Sequence, residues 1–335
     1  MQAAIYGLAG LEITPDERAL FRDADAAGYI LFRRNCADQA QLLRLTDDLR
    51  DLSGRGELPI LIDQEGGRVA RMQPPHWPTF PAADAFARLY QTAPSSAIEA
   101  ARSNARAIAL TLKACGININ CLPLLDVRQE GAHDIIGDRA LGAEPMQVAA
   151  LGRAVLDGMA SAGVVGVIKH IPGHGRAMAD SHKELPVVTA SAVELEIDLE
   201  PFERLRAAPM GMTAHVVYTA WDSERPASLS PTIIHDIIRG RIGFEGWLMS
   251  DDLGMEALSG DFGQRASGVV AAGCDVALHC SGKIEEMVAV AAAVPSISAD
   301  GEARLARAMA TVLVADEGAD FAEAVAKRDA LLALV

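Results

Sequence analysis

The chain has 335 residues, of which 50% are hydrophobic and only 4% aromatic, and its formal net charge is −15. Because so acidic a surface repels nucleic-acid phosphates and anionic lipid headgroups, we expect no nucleic acid and no membrane among its partners. No apolar run approaches the roughly 20 residues that a membrane-spanning helix needs, and no basic segment followed by a long apolar run opens the chain, which predicts a cytoplasmic protein.

Short runs rich in Val, Ile and Leu alternate with longer segments of helical periodicity, the pattern of parallel strands buried on both faces. The predicted strands are, in chain order, 4–10, 27–33, 58–64, 119–127, 163–170, 210–218, 246–252 and 274–280. Eight such strands predict a closed (β/α)₈ TIM-like barrel. A doubly wound open sheet is the alternative, but GLAGLEITP matches its Gly-rich phosphate turn poorly.

The segments between the strands carry recognisable helix ends. Thr14, Pro15 and Glu17 have the spacing of an N-cap, a first helical residue and a capping-box partner. Further helices are predicted from about 96 to 116, from about 144 to 163, and from 230 to 240. From about residue 301 the chain offers no further strand, so we expect closing helices there. Without a Pro/Gly/Ser-rich linker, residues 1–335 predict a single domain.

Ionisable residues cluster towards the C-terminal ends of the predicted strands, where the apolar runs stop, at the positions Asp63, Glu65, Asp126, Lys169, His170, His215, Asp251 and Asp252. Barrels place their active sites at the C-terminal ends of the strands, where the loops converge. A charge at the end of a buried strand is unfavourable unless it is paired or used, so most of these side chains should face one pocket. For any single residue, the alternative is that a strand end is simply where the chain turns polar.

Three segments carry a specific resemblance, namely LIDQEGGRVARM from Leu61, IKHIPGHGRAMADSH from Ile168 and MSDDLGM from Met249. They resemble the signature stretches of glycoside hydrolase family 3, in the branch of single-domain β-N-acetylglucosaminidases that serves peptidoglycan recycling. The resemblance implies a retaining glycosidase that removes terminal N-acetylglucosamine from a small amino-sugar substrate, with no cofactor and no metal. The implied substrate is GlcNAc-1,6-anhydro-N-acetylmuramic acid and its peptides, and short chitin oligomers are the alternative.

The resemblance also implies which residues catalyse the reaction. A retaining glycosidase needs a carboxylate that attacks the anomeric carbon and a proton donor near the leaving oxygen. Asp251, the first aspartate of the SDD-type motif, is the implied nucleophile, and Asp252 should have a supporting role. The implied acid/base is His182, held by Asp180. With an ordinary pKa of about 6.5, an imidazole can both donate and accept a proton near neutral pH.

Sugar binding is assigned by the same resemblance to Asp63, Arg71, Arg139, Lys169 and His170. Carboxylates accept hydrogen bonds from adjacent hydroxyls, and guanidinium groups present donors in a fixed geometry. Arg68 is the alternative to Arg71, since we expect only one of the two to reach the pocket. His174 and His215 are expected to be structural. The loop with Gly173 and Gly175 has little apolar content, so we expect few contacts to fix it and closure over the substrate.

Other readings of the same residues remain open at this point. His170, His174 and His182 would suit a zinc hydrolase, although the chain has neither an HxH nor an HExxH motif, and its five cysteines show no CxxC spacing. A phosphorylase on the same barrel is a second alternative, because an imidazole does not repel an incoming phosphate as a carboxylate would. A barrel that binds sugars without cleaving them is a third. We expect a monomer.

Overall fold

The computed structural model describes residues 1–129, 131, 135–179, 181, 184–311, 318 and 320–334. Among these residues, eight parallel strands close into a barrel in which each strand pairs with the next one along the chain and the first pairs with the last. This confirms the predicted fold class. The strands are β1 (Gln2–Gly7), β2 (Ala26–Leu31), β3 (Ile60–Ile62), β4 (Ile119–Asn120), β5 (Val165–Ile171), β6 (Met210–Thr213), β7 (Trp247–Asp252) and β8 (Val276–His279).

Helices connect the strands on the outside of the barrel. They are α1 (Pro15–Ala24), α2 (Gln39–Ser53), α3 (Ala83–Thr92), α4 (Pro94–Lys113), α5 (Pro145–Ser161), α6 (Ala192–Arg204), α7 (Phe262–Ala272), α8 (Ile284–Ala293), α9 (Ala299–Met309) and α10 (Phe321–Leu332). A wide π-type helix covers Ile233–Arg241, and short 3₁₀ turns cover Arg33–Asn35, Gly137–Arg139 and Ala227–Leu229. Within the described residues, no helix combines the length and the apolar composition that crossing a membrane requires.

Helix α1 starts as the sequence predicts. The Thr14 hydroxyl accepts a hydrogen bond from the Glu17 amide at 3.2 Å, and the Glu17 carboxylate accepts one from the Thr14 amide at 2.8 Å. Both partners thereby satisfy amides that a helix N-terminus leaves without a backbone acceptor. Helix α2 buries Leu42, Leu45 and Leu49 against the barrel, the apolar face that its helical period provides.

The runs 119–127 and 210–218 differ most from the predicted strands. The run 119–127 forms a regular strand only at Ile119–Asn120, because Pro123 has no amide hydrogen and interrupts the ladder; a single bridge between Leu124 and Lys169 follows. The run 210–218 is divided, because β6 ends at Thr213 and the chain leaves the barrel. Val217–Tyr218 then pairs with Val187–Val188 and Asp222–Pro226 in a separate three-stranded sheet.

Strand β5 carries charge into the barrel wall. All seven of its residues are buried, and these include Lys169 and His170. Beyond β3, the short strands Gln64–Gly66 and Val69–Ala70 form an antiparallel hairpin over the same end of the barrel. Because a buried lysine is stable only with charged partners nearby, this end of the barrel is where a polar site has to be assembled.

Candidate active site

A cavity of about 260 Å³ lies at the C-terminal ends of the barrel strands. Its lining includes every predicted binding residue and the predicted nucleophile: Asp63, Arg71, Arg139, Lys169, His170 and Asp251. Asp180 and His182 lie outside the described residues. Ser181, the residue between them in the chain, lines the cavity and is 3% exposed. Residues from four barrel strands and their loops are thus brought together at one place.

Lys169 is the centre of a buried ion cluster. Its Nζ lies 3.0 Å from Asp63 Oδ1 and 2.7 Å from Glu65 Oε1. Arg139 binds the same Glu65 with two hydrogen bonds of 2.8 Å each, from Nε and Nη2. Burial by itself would lower the pKa of Lys169 and raise those of both carboxyls. The opposite charges outweigh burial, so the pKa of Lys169 is raised and the pKa values of Asp63 and Glu65 are lowered.

Two arginines in and directly after the hairpin line the cavity. Arg71 Nη2 lies 3.1 Å from Asp63 Oδ2, and its guanidinium carbon stands 5.1 Å from the centre of the Phe32 ring. Arg68 Nε donates to Asp138 Oδ1 at 2.8 Å, nearer the surface. Both arginines line the cavity, so the expectation that only one of them would reach it was wrong. Arg68 lies in the turn of the hairpin and Arg71 directly follows its second strand.

His170 is oriented by a fully buried carboxylate. Asp126 Oδ2 lies 2.8 Å from His170 Nδ1, and Asp126 Oδ1 accepts the amide hydrogens of His170 and His174. Burial would raise the pKa of Asp126, but the two histidines outweigh it and lower that pKa to about 2. Burial, reinforced by His170, lowers the pKa of His174 to about 4. His174 is therefore a neutral imidazole near pH 7, and its Nε2 lies 3.2 Å from the Ser181 hydroxyl oxygen.

The two aspartates at the end of β7 differ in their contacts. Asp251 Oδ1 accepts a hydrogen bond of 2.8 Å from the Asp252 amide. The Asp252 carboxylate accepts hydrogen bonds from the amides of Gly254, at 2.9 Å, and Cys280, at 3.0 Å. Asp252 thus ties together two loops, which agrees with a supporting role, although it also touches the cavity.

The loop after β5 is firmly packed at its base, contrary to the expectation of few contacts. A Cβ atom added at Gly175 would lie 1.9 Å from the carbonyl oxygen of Val127, so only glycine fits there. A Cβ atom added at Gly173 would lie 3.0 Å from that of Asp198. Arg176 Nε donates to the buried Asp198 carboxylate at 2.5 Å. The two glycines therefore allow close approach of the backbone.

The sequence analysis did not assign two of the residues that build this site. Glu65 and Asp126 follow strands three and four and were expected to face the pocket, but neither was assigned to the site. The structure gives them the counter-charges and acceptors for Lys169, Arg139 and His170. The sequence does contain a signal for Glu65, because Lys169 lies inside an apolar run and a buried lysine needs buried acidic partners. Within the described part of the chain, no group of three or more His, Cys, Asp or Glu side chains could hold a metal ion.

Known proteins are similar to this chain over most of its length. The family model "Glycosyl hydrolase family 3 N terminal domain" matches residues 4–314. A Beta-hexosaminidase of Alkalilimnicola ehrlichii is 40% identical over 282 residues, 83% of this chain and 80% of that protein. One of Bordetella avium is 39% identical over 280 residues, with 82% and 79% covered. The crystal structure of NagZ from Neisseria gonorrhoeae in complex with N-trifluoroacetyl-D-glucosamine superposes with a TM-score of 0.87 at 32% identity, covering 99% of this chain and 98% of that one.

Proposed function

Since the chain belongs to glycosyl hydrolase family 3, we propose that it is a retaining exo-β-N-acetylhexosaminidase that removes terminal N-acetylglucosamine, with Asp251 as the nucleophile. The observation that carries this proposal is the position of Asp251. Asp251 lines the cavity at the end of β7, together with Lys169 and Asp63. An attacking carboxylate next to a set of sugar-binding groups is what a retaining glycosidase requires.

The ion cluster provides the sugar-binding groups. Asp63 offers carboxylate oxygens to sugar hydroxyls, whereas Arg71, Arg139 and Lys169 offer donors. Because each charge already has a partner in the free enzyme, the donors and acceptors are in place before the substrate arrives. A pre-formed arrangement of this kind reduces the entropy that is lost when the sugar becomes fixed. The acylated amino sugar bound by the gonococcal relative supports a 2-acetamido sugar as the ligand of this cavity.

The reaction then has two steps. In the first, an Asp251 oxygen forms a bond to the anomeric carbon while the bond to the aglycone oxygen breaks, and His182 gives its proton to that oxygen. In the second, neutral His182 takes a proton from water, the water oxygen bonds to the anomeric carbon, and the bond to Asp251 breaks. Two inversions restore the β configuration. We assign Asp180 to hold the His182 ring, on the family resemblance of the Asp180–His182 segment.

We propose that the natural substrates are peptidoglycan fragments in the cytoplasm, with GlcNAc-1,6-anhydro-N-acetylmuramic acid and its peptides as the main class. The support is the family branch that the sequence resembles, together with the similarity to the gonococcal NagZ structure. The proposal includes a monomeric enzyme that needs no cofactor, nucleic acid or membrane. The acidic surface favours the exclusion of nucleic acid and of anionic membranes on electrostatic grounds.

The test is hydrolysis of a nitrophenyl N-acetyl-β-D-glucosaminide by the Asp251→Asn variant. We expect kcat to fall by about 10³-fold or more, because an amide is a far weaker nucleophile than a carboxylate. Asp23→Asn, an exposed aspartate on α1, is the matched control and should retain wild-type activity. Full activity of Asp251→Asn would overturn the proposal.

Product analysis separates hydrolysis from phosphorolysis. Proton NMR of the wild-type reaction should show β-N-acetylglucosamine as the first product, with and without added phosphate. The appearance of N-acetylglucosamine 1-phosphate would instead favour the phosphorylase.

A further inference from the structure

The strand that carries Asp251 extends beyond its neighbour. Strands β6 and β7 pair through Trp247 with Met210, Leu248 with Gly211 and Met249 with Met212. In the described residues, no further backbone pair joins these two strands, although β7 continues to Asp252. The last residues of the strand, which include the nucleophile, therefore lack regular ladder hydrogen bonds on the β6 side. Something else has to fix the backbone there, because a reacting group must be held in place.

On the β8 side, the backbone and two side chains continue the pairing. The Leu253 amide donates to the Leu278 carbonyl at 2.9 Å. The Leu278 amide donates to the Ser250 hydroxyl oxygen at 3.0 Å. The Asp252 carboxylate accepts the Cys280 amide hydrogen. One side of the nucleophile segment is thus anchored at three points.

On the β6 side, His215 takes the place of the ladder. Its Nε2 lies 3.0 Å from the Asp252 carbonyl oxygen, and its Nδ1 lies 2.7 Å from the Ser228 hydroxyl oxygen. A carbonyl oxygen only accepts, so Nε2 carries the hydrogen and Nδ1 accepts from the serine. His215 and Ser228 are both completely buried. Burial lowers the pKa of His215, which agrees with this neutral, singly protonated ring.

Asp252 connects His215 to the nucleophile by hydrogen bonds. Asp252 is held at its carbonyl by His215 and at its carboxylate by the amides of Gly254 and Cys280. The amide of the same residue donates to Asp251 Oδ1 at 2.8 Å. When the other groups of Asp252 are fixed, its amide hydrogen has a fixed direction, and so has the carboxylate oxygen that accepts it.

We propose that His215, oriented by Ser228, is a positioning residue that sets the direction of the Asp251 carboxylate through Asp252. This inference rests on the proposed role of Asp251 as the nucleophile. A histidine that merely filled space would need neither the serine at Nδ1 nor the carbonyl at Nε2. Since His215 acts on the attacking group and not on the sugar-binding cluster, its loss should affect the chemical step and leave sugar binding unchanged.

Two variants of His215 separate these roles. His215→Gln keeps an N–H donor that can reach the Asp252 carbonyl, whereas His215→Leu removes both hydrogen bonds. The measurements are kcat and the rate at which an activated fluorosugar labels Asp251, followed by intact mass and peptide mapping. We expect both rates to fall by about 100-fold in His215→Leu and to stay within about tenfold of wild type in His215→Gln. The affinity for N-acetylglucosamine, measured by calorimetry, should be unchanged in both.

The outcomes distinguish this inference from the proposed function. If wild type is neither labelled nor active, the proposed function fails, and the inference fails with it. If wild type is labelled at Asp251 and both variants are labelled equally fast, only the inference is wrong. Equal losses in the Gln and Leu variants would also overturn it. Should His215→Leu not fold, Ser228→Ala replaces it, and wild-type labelling by that variant would count against the proposal.

Discussion

Glu65 shows how a single buried side chain organises the ion cluster that we propose binds the sugar. It accepts hydrogen bonds from Arg139 on one side and contacts Lys169 on the other, at distances of 2.7 to 2.8 Å. With only 8% of the residue exposed, little water can replace either partner. Two cations that meet at one carboxylate would repel each other if its charge were removed. Glu65 therefore determines whether Lys169 and Arg139 can lie close together.

We expect Glu65→Gln to destabilise the fold and weaken sugar binding together. Removing the Glu65 charge from this buried cluster takes a counter-charge away from both Arg139 and Lys169, and the free energy of unfolding should fall by about 3 kcal/mol. Urea denaturation and the Kd for N-acetylglucosamine provide the two measurements. Glu224→Gln, at an exposed position, is the control and should match wild type in both. An unchanged Kd would contradict the role given to Glu65.

At the residue scale, the sequence predicted which side chains meet but not how they pair. Asp63, Lys169 and Asp251 are recognisable because each ends an apolar run or lies in a family motif. The pairing of Glu65 with Arg139 joins two segments 74 residues apart. Such a pairing depends on side-chain directions in the folded barrel, which no local pattern contains.

Among the elements, the loop after β5 leads from Lys169 and His170 to the segment that we propose carries the acid/base. Its base is fixed because Gly175 lies directly against the Val127 carbonyl and Arg176 binds Asp198. The sequence suggested a loose segment from its glycines and its lack of apolar residues. Glycine in fact has two uses, flexibility and close approach, and only the structure shows that the second applies here.

Gly175→Ala tests whether this close approach matters for catalysis. The added methyl group would overlap a backbone oxygen, so the loop base has to move, and overpacking of this kind lowers stability by about 1–3 kcal/mol. We expect kcat to fall, because Ser181, which lines the cavity, would be displaced. Gly10→Ala is the matched control, since nothing lies within 4 Å of a Cβ atom at that position. Wild-type kcat in Gly175→Ala would refute this account.

The lengths of two strands could not be predicted from the sequence either. The apolar runs 119–127 and 210–218 each predict one strand, yet only their first few residues form regular barrel strands. In the second run, the chain must turn away after Thr213 so that His215 can reach β7. A hydrophobic run indicates burial, but burial in a small accessory sheet such as Val217–Tyr218 gives the same pattern.

For the whole molecule, the alternation of strands and helices was sufficient to predict the barrel, because parallel strands buried on both faces have a distinctive composition. The packing of the last helix was not predictable in this way. Helix α10 returns to α4, where Arg328 Nη1 lies 3.2 Å from Asn104 Oδ1 and Lys327 pairs with Glu99 at 2.5 Å. Contacts more than 200 residues apart in sequence follow from the closed shape and not from any local signal.

Buried neutral histidines make the stability of the whole molecule depend on pH. His174 has a folded-state pKa of about 4, below its ordinary value of about 6.5, so the unfolded chain binds more protons. The free energy of unfolding should therefore decrease as the pH falls from 6.5 towards 4, with a contribution from His174 of up to about 3 kcal/mol. Denaturant titrations at several pH values should show a shallower decrease for His174→Gln. His76→Gln, at an exposed position, should retain the wild-type slope.

The pairing of β1 with β8 has a consequence for synthesis of the chain on the ribosome. The first strand is complete within seven residues, but its second neighbour ends at His279. Until that point has emerged, β1 presents an open row of amides and carbonyls, a template on which another nascent chain can add. Translation through His279 is thus needed before this edge is covered, and slow elongation would prolong the interval in which aggregation competes with closure.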